Sequence, residues 1–207
     1  MMPALQMLEE FLHSESEIPL LVQLALMHYQ FEAIHPFEDG NGRTGRILIT
    51  LLLCERGYLT HPWLYISDFL AAYRQQYMDL LLGVSLRGEW ESWLQFFLMA
   101  VSAIATDALD RVEELLRVRN LYRERMQSQR TAGSAFELID RLFELPYMNV
   151  PRVQGLLNVS HTAAQRHISR LVAAEILTRV DLRSRPQIYV APGILNAIAE
   201  EPDFRDF

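Results

Sequence analysis

Two helical apolar repeats, parted by a short charged run rich in glycine, constrain this chain more than any other feature. Upstream, Leu20, Leu24, Met27, Phe31 and Ile34 recur at i, i+4, i+7, i+11 and i+14, the spacing of one helix face. Pro36 cannot continue that helix and biases His35 away from helical geometry, so His35 is delivered at the helix's C-terminal end. Downstream, Ile47, Leu48, Leu51, Leu52, Cys54 and Glu55 resume a helical pattern that ends near Gly57. Between them runs His35-Pro36-Phe37-Glu38-Asp39-Gly40-Asn41-Gly42-Arg43-Thr44-Gly45-Arg46. That mixture is poor material for a core and good material for gripping phosphate.

The Gly40–Gly42 turn opens the second helix, so the free N–H groups of its first turn face the loop. A helix N-terminus that glycine lets a ligand approach closely is an anion site. Arg43 and Arg46, three apart, share a face of that turn, and two guanidinium groups beside free amides suit a polyphosphate. Arginine opposes the dipole at a helix N-terminus, which a bound anion would offset. Asp39 offers a hard oxygen where a magnesium ion bridging phosphates needs one, and His35 is a candidate general base. The plain alternative is a solvated helix–loop–helix turn. Base, metal ligand, anion loop and paired arginines falling within twelve residues count against it.

His35 to Arg46 resembles the signature of the Fic family, His-Pro-Phe-x-Asp/Glu-Gly-Asn-Gly-Arg-x-x-Arg, at every fixed position. The resemblance implies an enzyme that moves AMP from ATP onto a Ser, Thr or Tyr hydroxyl of a target protein, releasing pyrophosphate. Carried over, His35 deprotonates the attacking hydroxyl and Phe37 anchors the loop in the core. Asp39 holds Mg²⁺ on the α- and β-phosphates, and Asn41 with the Gly40 and Gly42 amides lines the anion hole. Arg43 and Arg46 take the β- and γ-phosphates, and the implied nucleotide-binding stretch runs through Gly40, Asn41, Gly42, Arg43, Thr44, Gly45 and Arg46. Such transfer depends mostly on positioning and electrostatics, which fits the reading of the residues.

Composition sets bounds on the rest. Half of the 207 residues are hydrophobic and 22% charged, a soluble globular profile with core enough for one large or two small domains. All nineteen basic residues are arginine. Cys54, the sole cysteine, excludes a disulfide framework or a cysteine zinc site and reads as a small buried hydrophobe. The N-terminus lacks a signal-peptide pattern, and runs such as Ile47–Cys54 fall short of the roughly 20 residues a membrane span needs, so the expectation is a cytoplasmic protein without a membrane partner. The net charge of −7 is uneven: residues 1–130 carry eleven arginines against seventeen acids, 131–195 seven against five, the remainder one against four. Any nucleic-acid binding therefore belongs to the middle piece.

Along the chain, Met1 to His13 reads as a short helix with Leu5, Leu8 and Leu12 on one face, and Ser14–Glu17 as a polar loop. His28, on nearly the same face as His35, reads as a satisfied buried histidine. The Leu59–Tyr65 connector carries aromatics expected to pack. A helix from about Asp68 holds Tyr73 and Tyr77, which could flank an adenine, as residues of this region do in Fic proteins; core packing is the competing reading. Glu89 to about Thr106 reads as a helix with Trp90 and Trp93 in the core, and Asp107 to Arg130 as a long amphipathic helix joining two domains. Thr131-Ala132-Gly133-Ser134 reads as a hinge, Gly133 ending one helix and Ser134 capping the next.

From Ser134, helices to Leu145, from Pro151 to Leu157 and from Ser160 to Glu175 precede two strands, Leu177–Leu182 and Gln187–Val190, around a basic turn. This resembles a winged helix-turn-helix, with Ala164, Ile168, Leu171 and Val172 inward. Gln165, Arg166, Arg170, Arg183 and Arg185 are its candidate DNA or partner contacts. The expected architecture is mainly α: a Fic-type helical core over 1–130, a winged helix-turn-helix over 134–192 and an acidic tail over 193–207. The resemblance also implies a flap that clamps the target peptide and an inhibitory helix, Ser/Thr-x-x-x-Glu-Gly/Asn, and the expectation is a core without either. The nearest match, Ser85 to Glu89, is followed by Trp90. A constitutively active transferase is the leading expectation. The alternatives are removal of AMP, transfer of UMP, phosphocholine or phosphate, and a DNA-binding regulator with a nucleotide-sensing core. A homodimer is a candidate assembly.

Overall fold

The computed structural model of the chain describes residues 2–14, 17–127, 132–180, 186–199 and 204. The described residues form ten helices and three short strands, a mainly α fold. Two compact units divide them: Met1–Ala108 with Pro202–Phe207, and Leu109–Glu201.

In the first unit, α1 (Met2–His13), α2 (Leu20–Ile34) and α3 (Asn41–Glu55) follow the apolar repeats. Pro19 sits just outside α2, where its missing N–H is harmless. α2 packs between α1 and α3. α4 (Ser67–Ala72), α5 (Arg74–Arg87) and the 37-residue α6 (Trp90–Met126) complete this half. Leu24, Met27 and Phe31 of α2 meet Ile49 and Leu53 of α3, Phe69 of α4, and Trp93, Phe96 and Phe97 of α6 in one core. Trp93, fully buried, donates its indole N–H to the Ala25 carbonyl at 3.0 Å, fixing α6 against α2. Trp90, expected in the core, is half-exposed and turns its edge to Tyr29 at 4.8 Å.

The helices expected on either side of Asp107 are one continuous α6, because no residue between Trp90 and Met126 breaks the pattern. By length and composition alone α6 could cross a membrane, with a stretch of mean hydropathy 1.4. Its apolar residues Trp93, Phe96, Phe97, Ala100, Ala103 and Ile104 are buried in the first unit's core.

The second unit begins within α6 at Leu109 rather than near 130. α7 (Ala132–Glu144) already contains Gly133 and Ser134, so these lie inside a helix instead of ending and capping one. β1 (Tyr147–Met148), α8 (Val150–Leu157), α9 (His161–Ala173), β2 (Thr178–Val180), β3 (Ile188–Val190) and α10 (Pro192–Ala199) follow. Asn149 caps α8 by accepting the Arg152 N–H at 2.9 Å, and Ser160 caps α9 by accepting that of Ala163 at 3.3 Å. The antiparallel sheet runs β1-β3-β2, with Tyr147 opposite Val190 and Arg179 opposite Tyr189. Leu138, Ile139 and Leu142 of α7, Val153 of α8, and Ala164, Ile168 and Leu171 of α9 share a core with Val118, Tyr122 and Met126 of α6. Val172, expected inward, is exposed at the end of the α9 stripe.

Asp140 joins Arg119 at 2.9 Å and Arg123 at 2.7 Å. Burial alone would raise its carboxyl, but the two guanidinium groups hold it below the usual carboxylate range. The expected acidic tail is partly built structure: α10 buries Ile194 and Ala197, and Phe204 is buried against Phe69 of the first unit.

Candidate active site

His35 ends α2 in the left-handed region (φ 50°, ψ 59°), its N–H returning to the Phe31 carbonyl at 3.0 Å. A non-glycine residue held there stores strain, and such positions gather at functional sites. Gly40, the N-cap of α3, takes φ 84°, a conformation few other residues tolerate. Between these two turns the loop is fastened by Asn41, which is buried. Its Oδ1 accepts the Phe37 N–H at 2.9 Å and its Nδ2 donates to the Phe37 carbonyl at 2.7 Å. Phe37 itself is half-exposed, its ring 6.3 Å from Phe31, so Asn41 anchors the loop where Phe37 was expected to.

The Gly40 N–H donates to Asp39 Oδ1 at 2.7 Å, and Asp39 Oδ2 lies 3.3 Å from Arg43 Nη2. Both side chains are largely exposed, so solvent screens the pair and little holds Asp39 to Arg43. The Thr44 N–H and hydroxyl both reach the Gly40 carbonyl, at 3.0 and 3.1 Å, closing the first turn of α3. Arg46 donates from Nε to Ser67 Oγ at 2.9 Å, which aims its guanidinium across the mouth of that turn.

A cavity of about 430 Å³ opens over this arrangement. His35, Asp39, Gly40, Asn41, Gly42, Arg43 and Arg46 line one side, and Tyr77 lies in the opposite wall. Sequence reasoning did not find the remainder of that wall, Ser67, Leu70, Ala71, Arg74 and Met78 of α4 and α5, nor Glu32 and Glu38. Glu32 had a signal: three residues before His35, it shares a helix face with it. The α4–α5 residues are joined to the loop only by tertiary packing.

Three expected site residues lie elsewhere. Thr44 is spent on the helix turn. Gly45 faces α2, where a Cβ would sit 2.9 Å from Glu32 Oε1 and 3.1 Å from His28 Nδ1. Tyr73 packs its ring against Phe69 at 4.7 Å and donates its hydroxyl to the Phe204 carbonyl. Tyr77 is buried, its hydroxyl 3.0 Å from His28 Nε2, so it offers little open face for stacking a base.

Burial brings His28 down to about 4, which keeps its imidazole neutral, and pushes the Tyr77 phenol up. Burial also raises the Glu32 carboxyl, against the opposing pull of Arg46 and His35. Its Oε1 is buried without a hydrogen-bond partner among the described residues. Glu89, nearest to the inhibitory pattern, is held by Arg87 through two hydrogen bonds of 2.6 and 2.7 Å.

No group of three or more His, Cys, Asp or Glu among the described residues could hold a metal alone. Mg²⁺ bound with phosphates needs only one or two carboxylates, and the exposed Asp39, facing the cavity beside Glu38, fits that mode. In the second unit, Gln165 and Arg166 are exposed on α9 and Arg170 is half-buried. Arg183 and Arg185 lie outside the described residues.

Comparison with known proteins gives a family, named relatives and a shared fold. The sequence model of the Fic/DOC family matches residues 1–53, which include the whole of the loop. A protein of Aquifex aeolicus (strain VF5) named "Probable protein adenylyltransferase" is 38% identical over 65 residues, 31% of this chain and 20% of that protein. The protein adenylyltransferase Fic of Drosophila willistoni is 46% identical over 56 residues, 26% of this chain and 11% of its own. The match thus spans a fifth or less of these relatives' length. Among solved structures, a Fic family protein from Desulfovibrio desulfuricans G20 shares the fold, with a TM-score of 0.52 and 23% identity over 92% of this chain and 54% of that one. The segment that matches the Fic/DOC family, residues 1–53 of 207, is the one that carries the signature loop and the helices on either side of it.

Proposed function

We propose that the chain is a protein adenylyltransferase, transferring AMP from ATP to a Ser, Thr or Tyr hydroxyl of a target protein. The observation that carries this reading is the meeting of His35, the N-terminus of α3 and the Arg43–Arg46 pair on one cavity wall. His35 takes the proton of the acceptor hydroxyl as its oxygen attacks the α-phosphorus. The N–H groups of the first turn of α3 receive the negative charge that develops on the α-phosphate. Arg43 and Arg46 hold the departing pyrophosphate, and Ser67 keeps Arg46 in place. Asp39 would hold Mg²⁺, which would supply further positive charge at the phosphates. The names of the curated relatives support the nucleotide part of the reading.

Incubation with ATP labelled at the α- or the γ-phosphate, Mg²⁺ and lysate proteins tests it. Label from the α-position alone, lost in His35→Ala, is the expected result. Label from neither position counts against the reading, and label from the γ-position points to phosphate transfer instead.

A second reading rests on the other unit. Three helices and an antiparallel strand pair follow one another as in a winged helix-turn-helix, and α9 exposes Gln165 and Arg166. A DNA-binding regulator with a nucleotide-sensing core would shift genomic fragments in a gel and lose that shift in Arg166→Ala.

A further inference from the structure

Arg43 and Arg46 have two sides. One faces the cavity over the α3 N-terminus; the other borders a second cavity of about 290 Å³, and both arginines and Ser67 belong to the two cavities together. Beyond that shared wall the second cavity is lined by Ile47, Leu51, Pro62 and Tyr65. Ile47 is 54%, Leu51 53% and Tyr65 62% exposed, whereas Ile49 and Leu53 of the same helix are buried, so this face of α3 is apolar yet uncovered. The connector aromatics, expected to pack, stand out: Tyr65 lines the cavity, and Trp63 is largely exposed and stacks on His61 at 5.4 Å.

The trough is braced at two points. Thr50 Oγ1 donates to the Leu64 carbonyl at 2.9 Å, fastening the connector to α3, and the Arg46–Ser67 bond joins the two walls at the boundary. A preformed apolar trough beside a pair of phosphate-holding guanidinium groups matches a ligand with apolar and anionic parts next to each other.

In-line geometry decides which ligand. Attack at the α-phosphorus sets the nucleophile and the leaving group on opposite sides. Arg43 and Arg46 hold the leaving group, so what lies beyond them is joined to the leaving group and not to the acceptor. We propose that the Ile47–Leu51–Tyr65 trough is a subsite for an aromatic group esterified to the terminal phosphate of the nucleotide, as in a dinucleoside polyphosphate. The inference rests on the AMP-transfer reading above and names its donor class. With diadenosine triphosphate the acceptor oxygen bonds to an α-phosphorus, the hydroxyl proton passes to His35, the bond to the bridging oxygen breaks, and ADP leaves in place of pyrophosphate.

Calorimetric titration of the full chain with ATP and with diadenosine triphosphate, each with Mg²⁺, tests the subsite. The two ligands have three phosphates each and the dinucleotide carries less charge, so charge favours ATP. The expected result is a dinucleotide affinity about tenfold above that of ATP, the order gained by covering one aromatic face. Leu51→Glu and Tyr65→Ala should each remove the advantage while ATP affinity stays as in the wild type. ATP binding with no advantage for the dinucleotide, or an advantage that survives both substitutions, overturns the subsite and leaves the transfer reading standing. Binding of neither nucleotide overturns both.

Discussion

Asn41 and Phe37 are joined by a reciprocal pair of hydrogen bonds, the Asn41 amide closing both backbone groups of Phe37 at 2.9 and 2.7 Å. This one side chain sets the loop's path from His35 to the N-terminus of α3. Asn41→Ala removes both bonds and should lower stability by about 1–3 kcal/mol. The rate of label transfer should fall further than the stability loss explains, on the order of 10²-fold, because a small displacement of His35 spoils attack. Thermal melting read beside single-turnover transfer separates the two effects. Asn41→Asp keeps the acceptor but not the donor and should fall between.

Two glycines at helical positions make opposite predictions. A Cβ at Gly45 would sit 2.9 Å from Glu32 Oε1, 3.1 Å from His28 Nδ1 and 3.2 Å from Phe31 Cδ1, so α2 and α3 would have to part. Gly45→Ala should cost about 1–3 kcal/mol. Gly155, exposed in α8, has nothing within 4 Å of its Cβ position, and Gly155→Ala should stabilise by roughly 0.5–1 kcal/mol. Chemical denaturation of both variants checks the sign as well as the size.

Arg46 gives Nε to Ser67 and keeps the rest of its guanidinium for phosphate. A lysine has one ammonium for both tasks. Arg46→Lys should therefore weaken ATP binding by about tenfold despite the retained charge, and Ser67→Ala by less, through looser placement of Arg46 alone. Titration calorimetry with ATP and Mg²⁺ checks the order of the two.

Legibility in the sequence followed the range of the forces involved. Helices α2 and α3, the stop at Pro36 and the role of Gly40 are local consequences of spacing and backbone sterics, and the loop residues could be named from them. Local reasoning stops where distant packing decides. Tyr73 and Tyr77 sit four apart, yet Phe204 takes one and His28 the other. Asn41 lines the cavity, as the resemblance implies, but nothing in its sequence neighbours reveals that its amide also closes on the backbone of Phe37. Ser67, Arg74 and Met78 reach the cavity only because α4 and α5 pack across from the loop. The domain boundary expected near 130–134 lies elsewhere for a related reason: the partition falls inside α6, whose two halves bury different cores without any interruption of the helix.

His28 makes the last prediction, on pH. Burial brings the folded imidazole to about 4, while the unfolded chain keeps the ordinary value of 6.5. Between these values the unfolded state binds the extra proton. The contribution of neutral His28 is therefore fully present above 6.5 and is lost as the pH falls toward 4. Over the whole window the loss approaches about 3 kcal/mol, with most of it expected below pH 6. Glu32 works in the opposite direction: its raised carboxyl loses stability as pH rises through the folded value, and this softens the slope in acid. His28→Gln keeps Glu32 and removes the imidazole, so its stability should vary less between pH 7 and 5 than that of the wild type, whatever its starting value. Equal slopes in the two proteins would mean that His28 takes up its proton in the folded state and that the core around Tyr77 and Trp93 opens to water.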